Sequence, residues 1–298
     1  MRASPLVTIG MPAFNSAATI RSSLESLLAQ TFSDFELIVS DNASTDSTRD
    51  IVEELARLDP RIRYVRQAEN IGANGNYSYV AQVARGAYFK WAASSDLCAP
   101  DFIEKCLAAL ENNGDAVLAA PRTSMFSGDI SAAVLFEQDI EILDASPAAR
   151  IGRLHTTLTY NNALNGLIRM EALRKTRLIE PYYQADVVLI GHLAMLGKIV
   201  RVNEYLYYRR MEVATATSLQ DRTAWRRHHY PNLSARILFQ AWKRYLGWMR
   251  ACFASPMPFL EKIRVIIFVA RLCYREKRLL WTDVCAAFSY FSRAGGRE

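Results

Sequence analysis

The stretch VTIGMPAFNSAATIRSSLESLLAQTFSDFELIVSDNASTDST, residues 7–48, decides the fold class of this 298-residue chain. It contains two short apolar runs, at 7–11 and 35–40, and the first is closed by Pro12. Between the runs, four apolar residues share one stripe at helical spacing: Ile20, Leu24, Leu27 and Leu28. A strand, a helix and a second strand joined by short connections predict parallel strands with a helix packed on the sheet.

The same alternation continues to residue 121. Apolar runs at 62–66, 87–93 and 116–121 predict three more strands, and helical patterns lie between them. We therefore predict an α/β fold, with a mostly parallel sheet and helices on both faces, for residues 5–121. Residues 122–218 are less regular, but they contain a predicted helix at 147–160 and a predicted strand at 198–210.

From about residue 219 the chain becomes basic and rich in aromatic residues. We predict a boundary here, between a domain at 1–218 and a helical C-terminal appendage at 219–298. The aromatic and cationic side chains of the appendage include Trp225, Arg226, Arg227, Trp242, Lys243, Arg244, Tyr245, Trp248 and Arg250. Two interpretations stay open: the helices lie on an anionic membrane surface, or they pack their aromatic side chains on the domain.

Composition bounds the class of protein. With 51% hydrophobic and 22% charged residues, the chain has an ordinary globular composition, and its net charge of +6 is modest. Five cysteines without a CxxC pair predict neither a zinc site nor a disulfide framework, and they favour a reducing compartment. We expect no signal peptide and no membrane-spanning helix, which predicts a cytoplasmic protein.

Polar residues stand where four predicted strands end. Asn15, Asp41, Asn70 and Asp96 occupy these places. Ligands of an open parallel sheet bind in the crevice beyond the carboxyl ends of its strands, so we expect the four residues to face one polar ligand. The sequence has no GxGxxG after the first strand and no P-loop, which disfavours a dinucleotide or P-loop site.

Each of these residues also has a purely structural interpretation. Asp41 and its neighbour Asn42 are typical turn formers after a strand. Asn15 and Asp46 are typical helix N-caps, and Asp96 is a polar residue that can simply end a strand. The combination of positions favours a functional site over any single structural explanation.

The stretch 7–48, taken with NIGANGNYSYVAQVARGAYFKWAASSD at 70–96, resembles the nucleotide-sugar half of family 2 glycosyltransferases with the GT-A (Rossmann-like) fold. The resemblance covers residues 5–121 closely and continues more loosely to about residue 218. It implies an inverting enzyme that moves a sugar from a nucleotide-diphosphate donor to a hydroxyl of a glycan or lipid-linked acceptor. The setting that it implies is the synthesis of bacterial cell-surface polysaccharide.

The resemblance also implies roles for individual residues. The donor site would be formed by Pro12, Ala13, Phe14, Asn15, Asp41, Asn70, Gly72, Ser95, Asp96, Arg209 and Arg210. Asp41 would hold the base or ribose, and the arginines would screen the diphosphate. The catalytic base would be Asp186, whose structural alternative is an acid favoured by a helix N-terminus.

A divalent cation, Mn²⁺ or Mg²⁺, is the implied cofactor, bound by Asp96. The position before Asp96 usually carries a second acid in this family, but here it is Ser95. Glu212 stands where a metal-binding histidine is common, and we expect it to be a second metal ligand.

Two other functions and several partners are weighed. The chain could be a nucleotidyltransferase with a similar strand-end pocket, or a non-catalytic member that binds the nucleotide sugar. Contact with the inner face of a membrane is consistent with a lipid-linked acceptor, and a homo-oligomer is left open. We expect no nucleic-acid partner, because no recognisable motif accompanies the basic residues.

Overall fold

A computed structural model describes residues 4–211 and 239–294 of the chain. Nine strands form one sheet: β1 Val7–Ala13, β2 Phe35–Asp41, β3 Ile62–Arg66, β4 Tyr88–Trp91, β5 Leu97–Cys98, β6 Ala116–Phe126, β7 Val134–Phe136, β8 Leu167–Arg169 and β9 Lys198–Arg210. The first helices are α1 Ile20–Leu28, α2 Thr48–Leu58, α3 Ala73–Gln82, α4 Phe102–Glu111, α5 Pro147–Thr157, α6 Met170–Arg174 and α7 Ala185–Leu196. Three helices lie within residues 239–294, the described part of the C-terminal region: α8 Gln240–Ala254, α9 Phe259–Arg275 and α10 Lys277–Ala294. Short 3₁₀ helices occupy Ile130–Ala132 and Asn162–Asn165.

The N-terminal half of the sheet is parallel. β1 lies between β2 and β4, β2 also pairs with β3, and all of these pairs are parallel. Every residue of β1 and β2 is buried, because helices cover both faces of the sheet. The carboxyl ends of these strands therefore meet at one rim, which is where the predicted ligand residues stand.

The second half of the sheet is mixed. The order is β3-β2-β1-β4-β8-β6-β9-β5, with β7 paired to the outer part of β6. Simple alternation along the sequence would place β6 next to β4. Instead β8 lies between them and is antiparallel to both. The predicted strand at 116–121 extends to Phe126, because β7 and β9 supply hydrogen-bonding partners for its outer part.

Two hydrophobic clusters cover the two faces of the sheet. One includes Leu24 of α1, Val52 of α2 and Ile103 of α4. The other includes Val80 of α3 and Leu193 of α7, and it extends into the C-terminal helices. The predicted α/β class, with helices on both faces, is confirmed.

The C-terminal helices pack against the domain through the second cluster. α8 contacts α7 and α9 contacts α5. Tyr245 and Trp248 of α8 are each 2% exposed, so these two aromatic side chains are part of the core. Residues 258–281, expected to be helical, are divided between α9 and α10 at Glu276.

Several sequence-based predictions fall outside the described residues. They concern Glu212, Trp225, Arg226, Arg227 and the proposed boundary near residue 219, which stays a prediction. Among the helices that the structure describes, none combines the length and the apolar composition needed to cross a bilayer.

Candidate functional site

The loops that follow β1, β2 and β4 are joined by hydrogen bonds at the rim of the sheet. The Asn15 amide donates to Ser44 Oγ at 2.9 Å, and Asn15 Oδ1 accepts from the Thr45 amide at 2.8 Å. The Ser16 and Ser94 hydroxyls share a hydrogen bond of 2.7 Å. The three loops therefore form one connected wall of the crevice.

The structural interpretation of Asn15 as the N-cap of α1 is wrong. The helix begins at Ile20 after Thr19, and Asn15 has a left-handed backbone with φ of 48°. Asparagine tolerates this conformation better than most residues, which explains its use at the turn that leaves β1. Asp46 does accept from the Thr48 amide at 3.0 Å, in the first turn of α2.

The remaining residues of the predicted Pro-Ala-Phe-Asn turn divide between the core and the rim. Pro12 and Ala13 are buried in β1, whereas Phe14 is 36% exposed where the strand ends. Phe14 is therefore the ring of this turn that a ligand in the crevice could contact directly.

Asp41 is fully buried at the end of β2. Its carboxylate accepts from the Ser44 amide at 2.8 Å, from the Tyr64 hydroxyl at 2.7 Å and from Arg66 Nη1 at 3.1 Å. Burial and the Asp41 carboxylate raise the pKa of Tyr64 to about 12. Tyr64 therefore stays protonated at physiological pH and donates a hydrogen bond to Asp41. These bonds fix the loop after β2, and they bring Tyr64 and Arg66 to the predicted base-binding side.

Asn70 and Gly72 are held by Asn42, the residue after Asp41. Asn42 Nδ2 donates to Asn70 Oδ1 at 2.8 Å, and Asn42 Oδ1 accepts from the Ile71 amide at 2.8 Å. Asn70 Oδ1 also accepts from the Gly72 amide at 2.9 Å. Gly72 precedes α3 with φ of 79°, a conformation that requires glycine here. The predicted asparagine-glycine loop is thus part of the same rim.

Asp96 lies beside the end of β9. Its Oδ1 accepts from the Arg210 amide at 3.0 Å and from Ser95 Oγ at 3.2 Å, and its Oδ2 accepts from the Tyr207 hydroxyl. Burial, followed by the Asp96 charge, raises the pKa of Tyr207 well above its usual value, so Tyr207 stays a donor. The partly buried carboxylate is therefore held in one orientation.

Arg209 and Arg210 are the last two residues of β9, and their side chains make different contacts. Arg209 Nη1 donates to Asn162 Oδ1 at 2.5 Å, and its guanidinium lies 5.0 Å from the centre of the Tyr160 ring. Arg210 Nε donates to the Ser95 carbonyl at 3.0 Å, and its guanidinium lies over the Phe126 ring. Arg210 thus borders the loop that carries Asp96, whereas Arg209 contacts the segment at 160–162.

Asp186 stands in the first turn of α7. Its Oδ2 accepts from Asn161 Nδ2 at 3.1 Å, and the residue is only partly buried. An acidic side chain in the first turn of a helix is favoured by the positive end of the helix dipole. A carboxylate that is only partly buried and oriented by a hydrogen bond is a candidate general base.

Tyr77 of α3 connects these charges, and sequence reasoning missed it. Burial and the negative charges of Asp96 and Asp186 raise the pKa of the Tyr77 phenol, and the positive charge of Arg209 lowers it. The net effect is a pKa of about 12. Two carboxylates and a guanidinium from three different elements therefore lie close enough to one phenol to influence its ionisation. The only sequence signal was its place in the loop and helix after Asn70, where an aromatic residue is usually part of the core.

The donor set at Asp96 fits a hard divalent cation that takes most of its ligands from water and phosphate. Mg²⁺ is commonly held by one or two carboxylates, and Asp96 supplies one. Within residues 4–211 and 239–294, no group of three or more His, Cys, Asp or Glu side chains converges on a metal position. Glu212, the other predicted ligand, stays a prediction.

Comparisons with known proteins identify the family of the chain. Residues 8–176 match the family described as Glycosyl transferase family 2. An uncharacterised glycosyltransferase of Haemophilus influenzae is 33% identical over 113 residues, which are 38% of this chain and 35% of that protein. TuaG of Bacillus subtilis, a glycosyltransferase assigned to teichuronic acid biosynthesis, is 30% identical over 164 residues, which are 55% of this chain and 59% of TuaG. The chain therefore spans less than two thirds of either relative.

A solved structure shows the same fold. Residues 1–349 of S. aureus TarS, in complex with UDP, superimpose with a TM-score of 0.63 at 15% identity, covering 90% of this chain and 72% of that one. The fold is thus GT-A, as the resemblance implied. Since the family match extends over more than half of the sequence, the chain belongs to glycosyl transferase family 2.

Proposed function

We propose that this protein is an inverting glycosyltransferase. It would transfer a sugar from a nucleotide-diphosphate donor to a hydroxyl of a glycan or lipid-linked acceptor. The observation that carries the proposal is a series of contacts that leads from Asp96 to Asp186. The amide of Arg210 donates to Asp96, and Arg209, the preceding residue, donates to Asn162. Asn161, next to Asn162, donates to Asp186. Such a crevice offers separate carboxylates for the leaving group and for the acceptor.

Asp186 is the proposed catalytic base. Its carboxylate takes the proton of the acceptor hydroxyl while the acceptor oxygen attacks the anomeric carbon of the donor sugar. The bond from that carbon to the diphosphate oxygen breaks, and the oxygen leaves with the electron pair. Attack opposite to the leaving group inverts the configuration at the anomeric carbon. Asn161 orients the base through its 3.1 Å hydrogen bond.

The leaving diphosphate gains negative charge as the bond breaks. The guanidinium of Arg210 lies at the loop that carries Asp96, and that of Arg209 lies beside Asn162. Both are proposed to offset the charge on the leaving group. A divalent cation bound by Asp96, and by Glu212 as the second predicted ligand, would supply further positive charge at the same oxygen atoms.

The relatives support a choice of donor and setting. The UDP complex of TarS suggests UDP-sugars as the first donors to test. The assignment of TuaG to teichuronic acid biosynthesis suggests a bacterial surface polysaccharide as the product. A lipid-linked acceptor would place the reaction on the cytoplasmic side of a membrane.

The test combines binding and turnover in the full chain. UDP with Mn²⁺ should raise the melting temperature of the wild type, and a panel of UDP-sugars with glycan acceptors should yield UDP in at least one pairing. Asp186→Asn should reduce turnover by about 10²- to 10⁴-fold and leave the UDP-induced melting shift unchanged. Asp96→Asn should reduce both. Glu111→Gln, at an exposed position of α4, is the matched control and should behave as wild type.

Other outcomes would select the alternatives. UDP binding without transfer from any donor would favour a non-catalytic member of the family. Release of pyrophosphate from a nucleoside triphosphate and a sugar phosphate would favour a nucleotidyltransferase. Full turnover in Asp186→Asn would remove Asp186 from the role of base.

A further inference from the structure

Three aromatic side chains project from the outer face of α9 and α10. Tyr274, Trp281 and Phe288 are 72%, 68% and 72% exposed, and they recur at intervals of seven residues. Seven residues are nearly two helical turns, so Trp281 and Phe288 lie on one side of α10. Tyr274, at the end of α9, lines the same 290 Å³ groove as Trp281. The three rings therefore form one surface.

Two further apolar side chains extend this surface along α9. Leu260 is 67% exposed and Ile267 is 45% exposed. Together with Tyr274 they follow the spacing of a single helical stripe. A contiguous apolar surface of this kind, on a chain that also has a large buried core, usually marks an interaction site.

Cations are interspersed with the apolar residues. Arg264, Arg271, Arg275, Lys277 and Arg278 are all exposed. The Lys277 ammonium lies 4.5 Å from the centre of the Tyr274 ring. Among the described residues, Arg271, Arg275 and Arg278 form no ion pair, so their charges are available to a partner.

The carboxylates of Glu261 in α9, Glu276 between α9 and α10, and Asp283 in α10 make contacts with α5 or α8, and Glu261 also pairs with Arg264. Glu261 is 9% exposed and accepts from the Ala148 amide at 3.1 Å. Glu276 accepts from Arg244 Nη2 at 2.5 Å, and Asp283 accepts from the Ala241 amide at 2.8 Å. The outer face therefore combines apolar and positively charged groups, and these three acids are engaged in other contacts.

We propose that this outer face of α9 and α10 binds the surface of a bilayer that contains anionic phospholipid. Aromatic side chains are well suited to the level of the lipid headgroups, and each Lys or Arg near an anionic leaflet adds attraction. Binding is at the surface, because no described helix can cross a bilayer. A second copy of the chain is a poorer partner for this face, since self-association would bring the same cations together.

This inference does not depend on the proposed function, because its test measures vesicle binding in the absence of any sugar donor. The full chain is sedimented with two kinds of vesicle, each at low and at high salt. One kind is phosphatidylcholine alone, and the other contains about 30 mole per cent phosphatidylglycerol, on the order of the anionic lipid content of a charged leaflet. We expect binding at least about tenfold stronger to the anionic vesicles, and weaker at high salt because of screening.

Two double variants separate the contributions of charge and apolar contact. Arg271→Gln with Arg278→Gln should weaken binding to the anionic vesicles by about 10- to 30-fold. Trp281→Ala with Phe288→Ala should weaken it by at least about tenfold. Because all four side chains are exposed, the variants should melt at the wild-type temperature. Leu58→Ala, at a residue of α2 that is 76% exposed, is the control and should bind as wild type.

Specific results would overturn the proposal. One is equal binding to both kinds of vesicle, and another is wild-type binding by both double variants. A third is a stable dimer that Trp281→Ala with Phe288→Ala dissociates while no vesicle is bound, because the partner would then be a second copy of the chain.

Discussion

The phenol of Tyr77 lies among charges of both signs, and its hydroxyl has no hydrogen-bond partner within the described residues. A polar group held in this way can bond to a ligand that enters the crevice. Burial, together with the Asp96 and Asp186 charges, raises the pKa of the phenol, so that it can donate to oxygen atoms of a donor or acceptor sugar.

Replacing Tyr77 tests this role. Tyr77→Phe keeps the ring in α3 and removes only the hydroxyl, so we expect kcat/KM to fall by about 10- to 100-fold, as expected for one lost bond to a polar or charged ligand. The unfolding free energy should change by less than about 0.5 kcal/mol. Tyr79→Phe in the same helix is the control, and wild-type kcat/KM in Tyr77→Phe would show that the hydroxyl does not contact substrate.

The sequence predicts only part of this chemistry at the level of single residues. Asn15, Asn70 and Asp96 are recognisable because polar residues at strand ends converge on one rim. Asp41 was also recognised, but its carboxylate is occupied by Tyr64, Arg66 and the Ser44 amide. The bonds from Tyr64 and Arg66 depend on the register of β2 with β3, and the spacing of apolar residues in the sequence does not predict that register.

Among the helices, α7 connects the proposed base to the C-terminal helices. Its first turn carries Asp186, and its later turns pack against α8. A Cβ atom at Gly191 would lie 2.5 Å from Trp248 Nε1, so the two helices approach closely at this point. The absence of a side chain is what permits the contact.

Gly191→Ala should therefore destabilise the protein. The added methyl group would force the helices apart, and we expect a loss of about 1–3 kcal/mol in unfolding free energy by denaturant titration. Gly152→Ala in α5 is the matched control, because a Cβ atom there would lie 3.9 Å from the Phe268 ring, an ordinary van der Waals distance. The control should gain up to about 1 kcal/mol from helix propensity. Equal effects in the two variants would contradict close packing of α7 on α8.

His192, the next residue of α7, gives the stability of the fold a pH dependence. Burial lowers the pKa of His192 to about 4, and its Nε2 has no partner among the described residues. The unfolded chain binds a proton near pH 6.5 and the folded chain near pH 4, so stability is lost as pH falls through this window. The loss from this group amounts to about 3 kcal/mol once both states are protonated.

The variant His192→Leu should remove that part of the pH dependence. We expect its unfolding free energy to fall by about 3 kcal/mol less than that of the wild type between pH 7 and pH 4. His155, whose pKa is also lowered by burial, keeps its own contribution in both proteins. Parallel stability profiles for the variant and the wild type would contradict a neutral, buried His192.

At the level of elements, the sequence predicts long and strongly patterned segments better than short ones. β1, β2 and α1 follow directly from the spacing of their apolar residues. β8 has three residues, and its place between β4 and β6 depends on contacts far apart in the chain. The apolar residues Val187, Ile190 and Leu193 have helical spacing and so predict α7, but they do not predict that α5 and α8 pack against it.

On the scale of the whole molecule, one hydrophobic cluster extends from the sheet to the C-terminal helices. It contains Ile168 of β8, Leu193 of α7 and Trp248 of α8. A shared core of this kind favours cooperative unfolding.

We therefore expect the full chain to unfold in a single thermal transition. UDP at 100 times its dissociation constant should shift the whole transition by the equivalent of about 2.7 kcal/mol. Calorimetry, with circular dichroism as a second probe, measures both quantities. Two transitions, of which only one responds to UDP, would show that the C-terminal helices unfold independently.

The burial of α7 has a consequence for how the rate of such an enzyme can be tuned. A helix that is packed along its length moves as a rigid body. A small tilt of α7 at its contact with Trp248 would therefore displace the Asp186 carboxylate in its first turn. Displacements of about 1 Å at a reacting group can cost about a hundredfold in rate. Substitutions on the side of α8 that faces α7 would thus change the turnover rate without contacting any sugar, and they would leave nucleotide affinity unchanged.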